Sequence, residues 1–152
     1  MALPEYGLKV LVTGTASDSH TWNLVFLQLF LEELNHRVVN LGPCVDGELL
    51  AAECAAHRPD LVLISSVNGH GYRDGLTAVT RLRADRAGAT VPVVVGGKLG
   101  VAGACDAEAA ARLLRAGCTA VFDDGDLDAL RDFLTGLAAG GRLPAMRGRS
   151  TA

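Results

Sequence analysis

The chain has 152 residues, 49% of them hydrophobic and 20% charged, with a formal net charge of −3. That suits one globular domain with a real core and leaves no room for a second. The absence of a basic cluster argues against nucleic acid as a partner, and the most apolar stretch, residues 24–34, is too short to cross a membrane and already carries Gln28, Glu32 and Glu33.

The first apolar run, Lys9 to Val12 (KVLV), reads as a strand and leads into the loop TGTASDSHTWN. A helical pattern over 23–35 follows, with Leu24, Leu27, Phe30, Leu31 and Leu34 forming a core-facing stripe and Val25 and Leu29 on the opposite flank. The second run, Arg37 to Leu41, passes through GPCVD, where Asp46 is placed to cap a helix over 46–57. The third, Leu61 to Ile64, ends in SSVNGHGY ahead of a helix over 72–87. The fourth, Val91 to Val95, opens into GGKLGVAG ahead of a helix over 106–116, and the fifth, Thr119 to Phe122, passes through DDGD to a helix over 126–138. The tail from Gly140 has no periodicity. The expected organisation is therefore one domain over 1–139 and a flexible tail over 140–152.

Runs that are apolar at consecutive positions mark strands buried on both faces, as in a parallel sheet with helices on each side. Five such repeats predict an α/β domain, a doubly wound five-stranded parallel sheet of flavodoxin-like or Rossmann-like type. Ligands of such sheets sit outside the carboxyl ends of the strands, near the switch point in strand order. The loops after the first, third and fourth strands are rich in Gly, Ser and His where bland connections would suffice, so the site is expected there.

Several chemistries fail on inspection. There is no GxGxxG after the first strand and no GxxxxGK[ST], so neither a dinucleotide fold nor a P-loop is supported. A phosphoacceptor receiver needs an acidic pair after its first strand, an Asp ending the third and a Lys ending the fifth; here the third ends in Ser65-Ser66 and the fifth in Phe122-Asp123. TGTAS offers hydroxyls to a phosphate, as the first loop of a flavodoxin does, but nothing in it is specific to flavin. Cys44, Cys54, Cys105 and Cys118 are widely spread with no CxxC pair. They read as reduced, mostly buried thiols of a cytoplasmic protein rather than a zinc site or a disulfide framework. The N-terminus, MALPEYG, shows no signal peptide.

Asp18 and His20 stand two residues apart in the first loop. An arbitrary loop would most often use Asp18 or Ser19 as a turn or cap and leave His20 in solvent. The alternative is a metal-bound imidazole whose second nitrogen donates to Asp18, fixing the tautomer. One histidine cannot build a zinc site; one axial imidazole suffices where a macrocycle such as a corrin fills the equatorial positions.

Asp18-Ser19-His20 followed by Thr21-Trp22-Asn23 resembles the DxHxxG motif of cobalamin-binding domains; Ser65-Ser66-Val67 stands where that family has SxL, and Gly96-Gly97 matches its GG. The likeness covers about residues 8 to 137 and is nearest to the small, cobalamin-binding subunit of glutamate (methylaspartate) mutase, whose third loop is similar to SSVNGHG. The resemblance implies that the cofactor's dimethylbenzimidazole leaves cobalt, that His20 replaces it as lower ligand with Asp18 behind it, and that the freed tail enters a slot between the sheet and the first helix. Ser65 would then hydrogen-bond the tail, Val67 would pack at its entrance, and Gly96 and Gly97 would let it approach the backbone. Thr15, Ser17, Ser19, Thr21, Asn23, Ser66, Gly69 and Phe122 complete the cofactor-binding set it implies. His20 is the one metal ligand, and no catalytic residue is expected in this chain.

Two positions depart from the family pattern. Its glycine is Asn23 here, a residue tolerated in the left-handed conformation and a good helix N-cap, and its leucine is Val67. Trp22 is left open between flanking the cofactor and stapling the start of the helix. His70 reads as an exposed loop residue, and His36 and His57 as cap or dipole partners at helix ends.

By resemblance the chain is the cofactor-carrying subunit of an adenosylcobalamin-dependent carbon-skeleton mutase. In such mutases cobalt–carbon homolysis yields a radical that abstracts hydrogen from substrate. Activity would require a larger barrel subunit, with self-association as a further expectation and neither nucleic acid nor membrane as partner. The rival is a non-catalytic corrinoid carrier for methyl transfer or a cobalamin-responsive regulatory module. Carriers of that kind usually add an N-terminal helical domain, and only about seven residues precede the first strand here. A flavodoxin-like domain without corrin is a third reading.

Overall fold

A computed structural model describes residues 7–100, 106–123 and 126–140. Five parallel strands, β1 (Lys9–Thr13), β2 (Arg37–Asn40), β3 (Leu61–Ser66), β4 (Val93–Gly97) and β5 (Ala120–Asp123), form one sheet in the order β2-β1-β3-β4-β5. This is the flavodoxin-like order, with its switch point between β1 and β3. The helices are α1 (Trp22–Glu33), α2 (Gly47–His57), α3 (Gly71–Ala84), α4 (Ala107–Ala116) and α5 (Leu127–Gly140).

Alternation along the strands divides the core into two layers. Val10, Val12, Leu61, Leu63, Val94 and Ala120 point to the face covered by α1 and α5, where Leu24, Leu31, Leu130, Phe133 and Leu134 meet them. Leu11, Val62, Ile64, Val93 and Val95 point to the other face, under α2, α3 and α4, against Leu50, Cys54, Val79, Leu82 and Leu113. The three central strands are buried almost throughout, whereas β2 and most of β5 are only partly covered because each has a single neighbour.

Local chemistry sets the helix ends. Asp46 caps α2 by accepting from the Leu49 N–H at 2.8 Å, and Asp106 caps α4 in the same way from Ala109 at 3.0 Å. α1 ends in a Schellman motif: Asn35 takes φ 70°, and the His36 N–H reaches the Leu31 carbonyl at 3.0 Å. The imidazole of His36 is not a cap or dipole partner, contrary to the expectation from sequence. It is buried, and its Nδ1 accepts from the Leu8 N–H at 2.9 Å, pinning the approach to β1. Burial holds its pKa below the ordinary value. His57 does lie in the last turn of α2, paired with Glu53 at 3.3 Å.

Each strand differs from the sequence reading by one or two residues at an end, and two of these shifts have a clear cause. β4 starts at Val93, not Val91, because Pro92 has no N–H for the ladder; its carbonyl still accepts from Val62 at 2.9 Å. β3 runs on to Ser66, since Ser65 and Ser66 pair in register with Gly96 and Gly97. Cys54 and Cys118 are free and buried, with burial pushing the Cys118 thiol up to about 11; Cys44 is free and exposed. Cys105 and the expected tail beyond Gly140 lie outside the described residues. Among those residues, no helix is long and apolar enough to cross a membrane.

Gly97 is required by the backbone itself: its φ is +114°, and a Cβ there would collide with the Ser66 carbonyl oxygen of the neighbouring strand. Gly97→Ala is therefore expected to cost about 2–4 kcal/mol of folding stability by urea denaturation. A loss below about 1 kcal/mol would contradict this account.

Candidate functional site

Asp18 organises the carboxyl edge of the sheet. The loop after β1 folds its carboxylate inward to 2% exposure. Oδ1 accepts from the His20 N–H at 2.9 Å and lies 2.6 Å from His20 Nδ1. Oδ2 accepts from the Val67 N–H at 2.7 Å and from Ser66 Oγ at 3.1 Å. Burial by itself would raise this carboxyl; the hydrogen bonds from the His20 and Val67 amides and the His20 and Ser66 side chains outweigh it and hold the group below its ordinary value. With Nδ1 turned to an ionised carboxylate, the proton belongs on Nδ1 and the Nε2 lone pair is the one presented for ligation. The His20 side chain remains 47% exposed, so that nitrogen stands at the open edge of the site.

A second set of bonds fixes the same loop from α3. Asn68 Oδ1 accepts from the His70 N–H at 3.0 Å and lies 3.0 Å from Ser66 Oγ, whose single proton it shares with Asp18, while Asn68 Nδ2 donates to Ser17 Oγ at 3.1 Å. Ser17 donates in turn to the Asp74 carboxylate through its hydroxyl and, at 3.3 Å, its N–H. The Cys44 N–H holds the Asp18 carbonyl at 3.0 Å from the β2 side.

Beside this pair a slot of about 190 Å³ enters between α1, α5 and the sheet. Its origin is legible in the register. On the face where β3 and β4 carry Leu63 and Val94, the next inward positions are Ser65 and Gly96, which lie side by side. A hydroxymethyl and a hydrogen stand where two large apolar side chains would close the layer. Gly96 also faces the Phe122 carbonyl, 3.2 Å from where a Cβ would lie. Phe122 rests edge-on against Phe133 at 6.0 Å, forming a firm wall. A dry cavity of about 150 Å³ takes a benzene ring, so the slot has room for a planar aromatic group.

Most of the expected site residues fall into three groups. Asp18, His20, Ser66 and Val67 form the hydrogen-bonded cluster; Asn23, Ser65, Val67, Gly96, Gly97 and Phe122 line the slot. Ser17 belongs to the clamp with Asn68 and Asp74, and Gly69 makes the turn beside it with φ 87°. Thr15, Ser19 and Thr21 do not line the slot: Thr15 is buried, its carbonyl accepting from the Asp18 N–H, while Ser19 and Thr21 face solvent. Asn23 is neither left-handed nor a cap. It is the second residue of α1, buried, with Nδ2 donating to Ser65 Oγ at 2.9 Å. Trp22 opens the helix and lines the slot at 63% exposure, so it is not a buried staple of the helix start.

Sequence reasoning missed Phe26, Leu27, Leu63, Lys98, Asp126 just before α5, and the α5 residues Leu127 and Leu130, all of which line the slot. Phe26 and Leu27 could have been found, standing one helical turn beyond Trp22 and Asn23; so could Leu63, two residues before Ser65 on the same strand face. Nothing local marks α5. Among the described residues no three His, Cys, Asp or Glu side chains gather as a metal site, so His20 stands as a single imidazole ligand candidate.

Residues 8–127 match the B12 binding domain family. The chain is 37% identical over 91 residues to the glutamate mutase sigma subunit of Halobacterium salinarum, covering 59% of this chain and 60% of that one, and thus less than two thirds of that relative's length. It is 29% identical over 120 residues to glutamate mutase sigma subunit 1 of Haloarcula marismortui, covering 78% of each. In fold it is similar to a cobalamin-binding protein from Desulfitobacterium hafniense DCB-2, with a TM-score of 0.66 at 18% identity over 81% of this chain and 56% of that one. The signal receiver domain of a response regulator from Colwellia psychrerythraea 34H matches as well, with a TM-score of 0.65 at 16% identity, covering 89% and 99%. Those two likenesses concern the fold alone.

The Asp18 cluster predicts a pH signature. A carboxyl titrating below 3.8 when folded contributes stability that is complete above pH 3.8 and lost as the pH falls through the folded value. Asp18→Asn is expected to cost about 1–3 kcal/mol at neutral pH in urea denaturation, and the gap from the parent should close below pH 3.8. A gap that persisted undiminished in acid would exclude the carboxylate as its source.

Proposed function

Because the chain belongs to the family of B12-binding domains, we propose that it is the cobalamin-binding subunit of an adenosylcobalamin-dependent carbon-skeleton mutase of the glutamate mutase kind. The observation that carries this reading is the Asp18–His20 pair, with its Nδ1 contact of 2.6 Å, at the mouth of the slot between α1, α5 and the sheet.

The residues fit the group. An imidazole with Nδ1 committed to Asp18 would offer Nε2 as a neutral donor to cobalt, and the buried carboxylate would raise its basicity. The apolar slot, bordered by Gly96, would hold the detached dimethylbenzimidazole, and Ser65 would offer it a hydroxyl. Cobalamin, when bound, brings a weak cobalt–carbon bond and the radical chemistry that depends on it. This chain's share is to hold the cofactor base-off, keep the histidine tautomer and exclude water from the tail. The free buried thiols of Cys54 and Cys118 fit a reducing compartment such as the cytoplasm.

Substrate would be enclosed by a larger barrel subunit, and α1 offers the surface for it. Trp22, Val25, Phe26 and Leu29, at i, i+3, i+4 and i+7, form an apolar stripe of 63, 49, 50 and 59% exposure leading away from the slot mouth.

Two outcomes are expected. In the EPR spectrum of the Co(II) form, nitrogen splitting should come from a protein imidazole, changing when histidine carries nitrogen-15 and disappearing in His20→Ala; splitting indifferent to that label would remove His20 from cobalt. Asp18→Asn should keep the ligand but lower affinity roughly 10–100-fold. Separately, Leu29→Lys should bind cobalamin as the parent does yet associate more weakly with the large subunit or with a second copy. That is checked by titration against each, with circular dichroism for folding. Unchanged association would exclude the stripe as an interface.

A further inference from the structure

The slot is apolar along most of its wall but carries two exposed charged residues at its rim: Lys98, in the loop leaving β4, and Asp126, just before α5. The backbone fixes where Lys98 stands. Gly97 turns the chain out of the sheet at φ +114°. On the other side Leu99 is fully buried, its N–H donating to Asp123 Oδ1 at 3.1 Å and its carbonyl accepting from the Gly71 N–H at 3.0 Å. Between these two anchors the Lys98 side chain reaches solvent. The neighbouring acids are engaged elsewhere: Asp123 Oδ2 accepts from the Tyr72 hydroxyl at 2.7 Å, and Asp126 Oδ1 caps α5 by accepting from the Ala129 N–H at 3.0 Å. Among the described residues Lys98 makes no ion pair, and it is the one cation lining the slot.

We propose that Lys98 is the anion contact of the slot, meeting the phosphodiester that links the cofactor's lower base to its corrin. The inference rests on reading the slot as the site of the cofactor's tail. Covalent connectivity supplies the reason. The base is joined through a ribose to a phosphodiester, which is anionic at neutral pH, and from there through an aminopropanol linker to the ring. With the base inside the slot and the ring held at His20, that charge has to cross the rim. The apolar wall gives it no partner. An ammonium on a long flexible stem is a compact point charge with rotatable donors, suited to a phosphate that stays partly hydrated. Asp126 acts in the opposite sense, since its carboxylate repels the same charge. The two charged residues of the rim should therefore move affinity in opposite directions.

The test is a titration of the intact chain with cobalamin at low and high salt, followed by the corrin absorption spectrum and by quenching of Trp22, the only tryptophan, which lines the slot. At low ionic strength Lys98→Ala should lower affinity roughly 3–5-fold, the scale of one exposed charge pair, and Lys98→Arg should restore most of it. Asp126→Asn, which keeps a capping side chain, should raise affinity roughly 1.5–3-fold. The Lys98→Ala loss should vanish in about 1 M salt, where screening is nearly complete. Cobinamide, which has no nucleotide and no phosphate, should show no such loss. Circular dichroism checks that each variant is folded. Unchanged affinity in Lys98→Ala, a loss that persists in high salt, or an equal loss for cobinamide overturns the phosphate contact while leaving the cofactor reading intact. A parent that binds no cobalamin, with no base-off spectrum, removes the cofactor reading and the contact with it.

Discussion

The arrangement of the site depends on one buried carboxylate. Asp18 sits at 2% exposure, where a charge is tolerable only if several donors surround it. It meets that demand by drawing in two loops: His20 on Oδ1, and Val67 and Ser66 on Oδ2. The charge that makes the histidine a directed donor is thus the same charge that joins the β1 and β3 loops across the switch point. Orientation of the imidazole and closure of the fold at this edge cannot be separated.

The slot has a different physical origin. Sheet faces in this fold are sealed by helices lying over large apolar residues, and between β1 and β4 the seal is continuous up to Leu63 and Val94. One step further along each strand the side chains shrink to Ser65 and Gly96, and the layer opens. Backbone packing and cavity formation make separate demands on the two glycines. Gly97 is fixed by its left-handed φ and by the Ser66 carbonyl; at Gly96 the missing side chain leaves the slot its room.

The same five-stranded frame serves receiver domains, so the frame alone says little about chemistry. The distinction lies in what stands at the strand ends. Where a receiver needs acidic groups and a lysine, this chain has Ser65-Ser66 after Ile64 and Phe122 before Asp123. A hydroxyl-lined opening with an aromatic wall suits a ring system better than a phosphoryl group.

The sequence by itself determined the periodic elements and the identity of the chemistry-bearing loops. Consecutive apolar residues in β1, β3 and β4 can only be buried on both faces, and Asp46 announces its helix through a bond only three residues long. The Asp18–His20 contact, spanning two residues, is local enough to be read from spacing. Tertiary structure decided whatever depends on distant partners. Val67 and Ser66 find Asp18 across 49 and 48 residues, and Asn23 finds Ser65 across 42. That last contact turned an expected cap into a buried slot residue. His36 became a buried acceptor because the chain entering β1 passes over it, a neighbour 28 residues away. Leu127 and Leu130 reach the slot only because α5 folds back beside α1. Local patterns fix what the backbone does over one turn or one strand, while the partners of a buried polar group are chosen by the packing that brings distant segments together.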